Sequence, residues 1–307
     1  MDAISDLGFF VLLTKYATLA RAAQQLGVTP PTVSKRLASL EQRLGVRLMN
    51  RTTRRISLTA EGEAYLAEGS RLLNELNILE QTVAGARAVP RGLLRVHATL
   101  GFGRHHIVPA VSRFVQTHPE VEVQLHLSDR PINMVEQGFD LAIRFGDIPD
   151  SRLTVRPLAF NRRLICASPH YLERAGEPSH PAELQAHNCI VIRENDETYG
   201  TWHLSQGSRV ETVKVRGRVS TNDGESALAW ALDGHGILLR SEWDVAPYLR
   251  SGRLRPILQD WALPAANIAA VYPTRQNLSA RTRAFVDDLT TWFAAQRQPG
   301  KNSISLW

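Results

Sequence analysis

A pair of helices joined by a glycine turn is predicted within residues 19–44. The first covers Leu19–Leu26 and ends at Gly27, which tolerates the left-handed conformation that closes a helix. Thr29 then stands in the N-cap position, and two prolines follow in the first turn, where a missing N–H loses no hydrogen bond. The second helix extends to Leu44. This order predicts a helix-turn-helix, a motif whose second helix lies in the major groove of DNA.

The second helix has a buried face and a polar end. Val33, Leu37, Leu40 and Leu44 recur at steps of 4, 3 and 4, which predicts an apolar stripe. Hydroxyl and cationic side chains lie outside this stripe, near the N-terminal end of the helix, where they can reach base edges and phosphates. We therefore predict DNA contacts from the first helix and from the start of the second, at Arg21, Thr29, Pro30, Pro31, Thr32, Ser34, Lys35 and Arg36.

Basic residues are concentrated around this motif. The chain has 36 Lys and Arg against 30 Asp and Glu, a net charge of +6, yet residues 20–56 contain eight Lys and Arg against Glu41 alone. Such a surplus suits a polyanion, although a solvated basic face would have the same composition. Residues 50–59 end in alternating polar and apolar positions, which predicts a hairpin wing. We expect its polar residues to contact the DNA backbone or minor groove, at Arg51, Thr53, Arg54 and Arg55.

The segments Ala20–Leu48 and Asn50–Gly62 together resemble the N-terminal signature of LysR-type transcriptional regulators. Pro30 departs from that signature, because many members carry a glutamine there that can read a base. A proline ring donates no hydrogen bond, so specificity at this point must come from shape, apolar contact or neighbouring residues.

A long helix is predicted after Thr59, which is placed to cap it. Leu72, Leu76, Leu79 and Val83 recur at steps of 4, 3 and 4, with Tyr65 in phase, and so form a heptad seam. The seam predicts a dimerising helix made by these five residues, and a core-facing helix within one domain is the alternative. Dimers would pair two reading heads on one pseudo-palindromic operator, and the family resemblance favours the same arrangement.

Predicted strands and helices alternate after residue 92, which indicates parallel sheets with covering helices. The strands are expected at 93–98, 121–127, 141–145, 164–167, 189–192, 236–239 and 268–272, and the helices at 107–115, 226–232 and 279–293. This region is similar to the effector-binding domain of the same family. The resemblance implies the two-lobed fold of periplasmic binding proteins.

The predicted fold class is mixed α+β and α/β: a winged helix-turn-helix, a long linker helix and a two-lobed periplasmic-binding-protein-like effector domain. The expected boundaries are 1–58 for the DNA-binding domain and 59–91 for the linker helix and hinge. The effector domain is expected at 92–297, with lobe one at 92–163 and 270–297 and lobe two at 164–269. Residues 298–307 are expected to form a loose tail.

Ligands of open α/β sheets bind beyond the carboxyl ends of the strands, so the residues that follow each predicted strand are candidates. Residues 99–104 carry two glycines and suit either a ligand cradle or a plain tight turn. Arg144 closes an apolar strand, where it would clamp a carboxylate or pair with Asp147 or another surface acid. The predicted effector contacts are Thr99, Leu100, Gly101, Phe102, Arg104, Arg144, Phe145, Ser168, Arg193, Asn222 and Asp223.

Three segments, 193–197, 220–225 and 232–242, look like the subgroup of LysR-type regulators that includes regulators of D-malate and tartrate catabolism. The resemblance implies a small carboxylate as effector, such as a hydroxy dicarboxylic acid. Phe102 and Phe145 would suit an aromatic acid equally well. The expected partners are an operator duplex, this effector, further copies of the chain as dimer or tetramer, and RNA polymerase if the protein activates transcription.

Other function classes find little support in the sequence. It has no Gly-X-Ser-X-Gly elbow, His-Glu-X-X-His motif or Gly-rich loop ending in Lys-Ser/Thr, so no enzyme, cofactor or metal is expected. The two cysteines, Cys166 and Cys189, lie in apolar strands that predict buried, unreactive thiols, and a redox-sensing regulator is the alternative. No run of about 18 apolar residues occurs, and the N-terminus lacks the basic start of a secretory signal. A cytoplasmic protein with no membrane partner is expected.

Overall fold

A computed structural model of the chain describes residues 3–51, 56–84, 89–130, 132–134, 136–148, 150–193, 200–274 and 278–295. The contacts divide the chain into two units, residues 1–88 and 89–307. No helix within the described ranges is both long enough and apolar enough to cross a membrane.

The first unit contains the predicted pair of helices and the predicted hairpin. Its elements are α1 (Ala3–Thr14), α2 (Leu19–Leu26), α3 (Pro30–Leu44), β1 (Met49–Arg51), β2 (Ile56–Leu58) and α4 (Ala60–Ala84). Gly27 and Gly45 close α2 and α3 at φ 65° and 72°, in the left-handed region that favours glycine. Phe10, Leu13 and the α3 stripe of Val33, Leu37 and Leu40 are buried together in one core. Each such side chain contributes about 1.5–3 kcal/mol by leaving water.

The second unit contains two five-stranded sheets. The elements of the first are β3 (Gly92–Ala98), α5 (Leu100–Phe102), a π-helical turn (Gly103–Ile107), α6 (Val108–Thr117), β4 (Val121–Leu127), β5 (Leu141–Phe145), β6 (Leu153–Ala159), β14 (Ile268–Pro273) and α10 (Ala280–Ala295). The strand order is β4-β3-β5-β14-β6. The side chains of β3 alternate, because Leu94, Val96 and Ala98 enter the core beneath the helices while His97 faces the other side.

The second sheet is formed by the part of the chain between β6 and β14 of the first sheet. Its elements are β7 (Arg163–Ala167), α7 (Pro169–Ala175), a 3-10 helix (Pro181–Ala186), β8 (Cys189–Ile192), β9 (Gly200–Gln206), β10 (Arg209–Val215), β11 (Ser220–Thr221), α8 (Gly224–Leu232), β12 (Ile237–Ser241), α9 (Glu242–Arg250) and β13 (Arg255–Ile257). The strand order is β11-β8-β12-β7-β13, and β9 and β10 form a separate hairpin.

The expectation of parallel sheets is only partly correct. β3 is parallel to β4 and β5, and β12 is parallel to β8, but β14, β6, β7 and β13 pair antiparallel. The reason is connectivity. The chain leaves the first sheet through β6 and β7 and returns through β13 and β14. Of these four strands, β14 runs against the other strands of the first sheet and β7 runs against the other strands of the second.

A buried asparagine holds the two crossings together. The Nδ2 atom of Asn161 donates to the carbonyl of Ala266 at 2.9 Å, and its backbone N–H donates to Oδ1 of Asn267 at 3.2 Å. The backbone N–H of Trp243, at the start of α9, donates to Oδ1 of Asn161 at 3.4 Å. One side chain thus ties both hinge segments to α9, which fixes where the cleft between the sheets begins.

Candidate functional site

The N-terminal end of α3 presents a polar, exposed surface. The side chains of Arg21, Thr29, Pro30, Pro31, Thr32 and Lys35 are exposed, and Ser34 is half-buried. Thr29 occupies the N-cap, as predicted, but its hydroxyl makes no capping bond and instead shares a 2.9 Å hydrogen bond with the hydroxyl of Thr32. These side chains are therefore available to an outside partner, in the arrangement that a recognition helix requires.

Arg36, also predicted to contact DNA, is half-buried and makes its contacts with α1. Its Nη2 atom donates to Oγ of Ser5 at 2.8 Å and lies 3.4 Å from Oδ1 of the buried Asp6. The guanidinium also lies over the ring of Phe9, 4.4 Å from the centroid. Because one buried carboxylate on α1 attracts it, the side chain joins α3 to α1.

The wing is the predicted hairpin, with Met49 paired to Leu58 and Arg51 to Ile56. Glu41 of α3 is buried, and its Oε1 atom accepts the backbone N–H groups of Leu48 and Met49 at 2.9 and 3.2 Å. This carboxylate therefore fastens the start of the wing to the recognition helix. The predicted contacts Thr53, Arg54 and Arg55 lie outside the described residues, as does the side chain of Arg51, and they stay predictions.

The long helix α4 begins where the sequence predicts. Thr59 precedes it, and its hydroxyl accepts the backbone N–H of Gly62 at 3.0 Å. Tyr65, predicted to lie in the dimer seam, packs its ring edge-on against Phe10 in the core of the unit, 5.3 Å between centroids. Gly69 also packs closely against α1, because a Cβ added to this glycine would stand 2.4 Å from the side chain of Leu7.

The apolar stripe of α4 becomes exposed after that point. Leu72, Leu79 and Val83 have relative exposures of 49%, 59% and 82%, and Leu76 is half-buried. Large apolar side chains at this spacing on one helix form a surface that a partner helix would cover.

The carboxyl ends of strands from both sheets face the hinge, and we call the region between the two lobes at this edge the cleft. In the first sheet β3 and β5 end there, because they are parallel and Phe145 pairs with Ile268 beside the hinge. In the second sheet β8, β11 and β12 end there, because Ser241 pairs with Arg163 at the start of β7. Residues after these strand ends therefore line the cleft.

Ser168 is absent from this group, which corrects its assignment to the effector site. β7 runs antiparallel to β12, so Ser168 follows β7 at the opposite edge of the sheet. It is buried, and its hydroxyl accepts the backbone N–H of Tyr171 at 3.3 Å as the N-cap of α7. Sequence order alone gave no sign of the strand direction.

Residues 99–104 form helix rather than a tight turn or a glycine cradle. Thr99 is the N-cap of α5, and the backbone N–H of Leu100 donates to Oδ1 of Asp129 at 2.9 Å. The two glycines allow close packing, since a Cβ at Gly101 would lie 3.2 Å from the ring of Trp243 and one at Gly103 would lie 2.3 Å from Leu127. The carboxylate of Asp129 thus accepts a hydrogen bond from the first N–H group of this helix.

Aromatic rings close the hinge side of the cleft. Phe102 is fully buried, and its ring lies 5.2 Å from that of Phe145 and 5.4 Å from that of Trp243. Trp243 reaches from the second sheet into the core of the first. It also stands edge-on to His106, whose pKa burial lowers to about 4. The two lobes therefore share an apolar contact at this end.

Charged side chains bridge the cleft beside these rings. Nη2 of Arg104, from the first lobe, lies 2.7 Å from Oε2 of Glu225 at the start of α8 in the second lobe. Nε2 of His105 lies 3.4 Å from the other oxygen of Glu225. Arg240 pairs with the buried Asp244, and a Cβ at Gly224 would overlap the Arg240 guanidinium. Burial raises the pKa of Asp244 despite this partner.

Arg144 lies half-buried on the other face of the first sheet. Its Nη2 atom donates to the carbonyl of Ile132 at 3.0 Å, and burial lowers its pKa. Among the described residues Arg144 forms no ion pair with an acidic side chain, so the predicted pair with Asp147 is absent. His97 is nearby and fully buried, and neither of its ring nitrogens has a hydrogen-bond partner among the described residues. Burial, and then the charge of Arg144, lower the pKa of His97 to about 4.

The remaining predicted effector residues follow β8 and β11. Arg193 and Asn222 are exposed at these strand ends. Asp223 is the N-cap of α8, where it accepts the Ser226 hydroxyl at 2.6 Å, and that hydrogen bond holds its pKa low. Residues 194–199, which include most of the segment 193–197 used for the subgroup resemblance, lie outside the described residues.

Both cysteines are buried, and burial raises the pKa of each thiol to about 12. β12 lies between their strands, with Leu238 paired to Cys166 and Ile237 to Cys189. Two strand spacings place the Cα atoms roughly 9–10 Å apart, too far for a disulfide without movement of the backbone. In the ranges that the structure describes, no group of three or more His, Cys, Asp or Glu side chains is arranged to hold a metal ion.

Comparison with known proteins gives two family matches that together span most of the chain. Residues 4–63 match the model of the bacterial regulatory helix-turn-helix protein, lysR family. Residues 87–294 match the model of the LysR substrate binding domain. The chain is 40% identical over 294 residues to the HTH-type transcriptional regulator DmlR of Escherichia coli strain K12, covering 96% of this chain and 95% of that protein. It is 39% identical over 297 residues to the transcriptional activator TtdR of the same strain, covering 96% and 94%.

Solved structures show the same architecture. CrgA, a LysR-type transcriptional regulator from Neisseria meningitidis, is 30% identical and matches with a TM-score of 0.59 over 95% of this chain and 99% of that chain. The full-length virulence activator AphB of Vibrio cholerae is 23% identical and matches with a TM-score of 0.58 over 95% and 99%. The second likeness concerns the fold alone. A winged helix-turn-helix followed by a two-lobed α/β domain is thus confirmed as the fold class.

Proposed function

The chain belongs to the LysR family of bacterial DNA-binding transcriptional regulators, and from that membership we propose the details of how it works. It binds a pseudo-palindromic operator as a dimer or tetramer and changes its DNA contacts when a small carboxylate binds between the two lobes. The family consists of transcriptional regulators rather than enzymes. As a regulator bound to the bacterial chromosome, the protein would work in the cytoplasm, and it would contact RNA polymerase if it activates transcription.

The observation that carries the proposal is the exposed N-terminal end of α3. Thr32 and Lys35 are exposed there, Ser34 is half-exposed, and Glu41 fastens the wing to the same helix. Hydroxyls and a cation at the end of a recognition helix supply base and phosphate contacts. We assign base reading to Thr32 and Ser34 and phosphate contacts to Lys35, Arg21 and the wing arginines.

The dimer contact is proposed for the exposed stripe of α4. Leu72, Leu79 and Val83 are apolar and exposed, and Leu76 lies in the same row. In this proposal residues 1–58 form the reading head, 59–91 the dimerising helix, and 92–297 the effector domain. Pairing two heads through α4 would match a pseudo-palindromic site.

The effector is proposed to be a small aliphatic carboxylate. Arg104 and Arg193 are exposed at the cleft, and the subgroup resemblance together with the identity to DmlR and TtdR supports a hydroxy dicarboxylic acid. Of the two phenylalanines that would suit an aromatic acid, Phe102 is fully buried and offers a ligand no ring surface, and Phe145 is half-buried. An aromatic acid therefore finds less support. A redox response finds even less support, because both thiols are buried and have pKa values of about 12.

Selection of bound duplexes from a randomised library, followed by mobility-shift titrations with and without D-malate and tartrate, tests the proposal. We expect an enriched inverted repeat and a complex whose mobility or affinity changes with a carboxylate. Failure to enrich any sequence would contradict the operator proposal. An enriched operator whose complex responds to no aliphatic carboxylate would contradict the effector class alone.

A further inference from the structure

One ion pair joins the two lobes across the cleft. Arg104 follows the end of β3 in the first lobe, and Glu225 stands in the first turn of α8 in the second, with 2.7 Å between Nη2 and Oε2. Nε2 of His105 lies 3.4 Å from the other oxygen of Glu225. The carboxylate of Glu225 therefore occupies the position beside Arg104 that the carboxylate of a ligand would take.

The pair is exposed enough to be exchanged. The side chains of Arg104 and Glu225 keep 48% and 35% of their exposure to solvent. Ion pairs in contact with water contribute little free energy, so an incoming anion can replace one partner without leaving a buried charge behind. Glu225 would also keep favourable surroundings after the exchange, because the N-terminal turn of α8 favours a negative charge.

We propose that Glu225 is the internal counter-ion of Arg104, and that an effector carboxylate binds by taking its place. The inference rests on the proposed function, since it concerns the same cleft and the same class of ligand. Glu225 thereby sets the affinity of the cleft, because every carboxylate must compete with it for Arg104. The exchange also removes an ionic contact between the lobes, so binding acts on their arrangement as well as on the site.

The test measures the affinity of the full chain for succinate, D-malate and tartrate by isothermal titration calorimetry. Glu225→Gln removes the competing charge while it keeps the size of the side chain. We expect this variant to bind the carboxylates about fivefold more tightly than the wild type, the fold-change that corresponds to the upper range for an exposed ion pair.

A matched control separates competition from a general change in charge. Asp147 is exposed after β5 on the same edge of the cleft and forms no ion pair with the residues that the structure describes. Asp147→Asn makes the same change in charge without freeing Arg104, so its affinity should stay within about twofold of the wild type. Equal tightening in both variants would overturn the proposal, because it would show an effect of net charge alone.

A double-variant cycle gives the second readout. In an Arg104→Gln background the guanidinium for which the two carboxylates compete is absent, so adding Glu225→Gln should leave the affinity unchanged. A Glu225→Gln effect of the same size with and without Arg104 would contradict the inference. The inference would also be refuted if the wild type bound a carboxylate at least as tightly as the Glu225→Gln variant does. The effector class would still stand in that case. If no variant binds any of the three acids, the effector class itself is wrong and the inference falls with it.

Discussion

Glu41 and Leu48 are joined by a buried hydrogen bond, in which the Oε1 atom of the Glu41 side chain accepts the backbone N–H of Leu48 at 2.9 Å. The same oxygen accepts the N–H of Met49 at 3.2 Å. Glu41 is also the only acidic residue among eight cations in residues 20–56. A negative charge inside a surface proposed to bind phosphates weakens DNA binding unless the charge is shielded and used in the structure. In this protein the carboxylate of Glu41 is buried and holds the wing against α3.

The first prediction concerns this anchor. Glu41→Ala leaves two buried N–H groups without that acceptor, which costs about 1–3 kcal/mol for each unsatisfied group. We expect a lower free energy of unfolding in urea and weaker operator binding. Glu41→Gln retains a carbonyl acceptor and should recover most of both losses. Wild-type operator affinity in a folded Glu41→Ala variant would show that the anchor does not position the wing.

The second prediction concerns the wing arginines. Replacing Arg54 and Arg55 by Ala should weaken binding to every DNA sequence and reduce the slope of log K against log salt by about 2, since each phosphate contact contributes about 0.9. Thr32→Ala is the matched comparison, because it removes a hydroxyl on α3 and should change which bases are preferred while the slope stays the same. Mobility shifts at several salt concentrations measure both. An unaltered slope in the double variant would exclude the wing as a phosphate contact.

The third prediction concerns the apolar stripe on α4. Leu79 has 59% of its surface exposed, so Leu79→Glu should leave the fold of one chain intact and place a charge in the proposed dimer contact. The association should weaken by several kcal/mol, and sedimentation should detect a smaller mass at micromolar protein. Glu80→Gln, at the next position and off the stripe, is the control and should keep the wild-type mass. Wild-type mass in Leu79→Glu would mean that the dimer forms elsewhere.

The fourth prediction is a pH dependence that originates at His97. Its pKa falls from 6.5 to about 4 in the folded protein, so the unfolded chain binds more protons between these values. Stability is therefore full above pH 6.5 and declines as the pH falls toward 4, by on the order of 3 kcal/mol in total from this group. Urea unfolding at pH 7.5 and pH 5 measures the loss, to which His106 adds in the same direction. His97→Leu should show a shallower dependence, and an identical one would refute the assignment.

The helices of the first unit and the fold class were predictable because local rules determine them. Capping residues and glycines set the ends of α2, α3 and α4, and the stripe of Val33, Leu37 and Leu40 marks the buried face. Strands with continuous apolar runs, such as β5 and β8, were predictable for the same reason. Strands made of polar and apolar residues without a strong pattern, such as β6 and β9, were not, since pairing with distant strands determines them.

The errors at the sites have one common physical cause, which is that sequence spacing does not reveal what lies across space. The contacts of Arg36 with Asp6 and Phe9, thirty or so positions earlier, were not visible in the sequence. Ser168 was assigned to the cleft because the direction of β7 depends on the hinge. The pairing of Arg104 with Glu225 was likewise invisible, because it joins residues of different lobes.

The central claim is that one chain reads an operator through α3 and the wing and alters its contacts when a carboxylate enters the cleft. DNase I footprinting of the selected operator, with and without saturating D-malate or tartrate, tests it most directly. We expect protection over an inverted repeat in the absence of ligand and a change in the length or phasing of the protected region when ligand is added. A footprint that stays the same at ligand concentrations at which calorimetry shows the cleft to be full would contradict it.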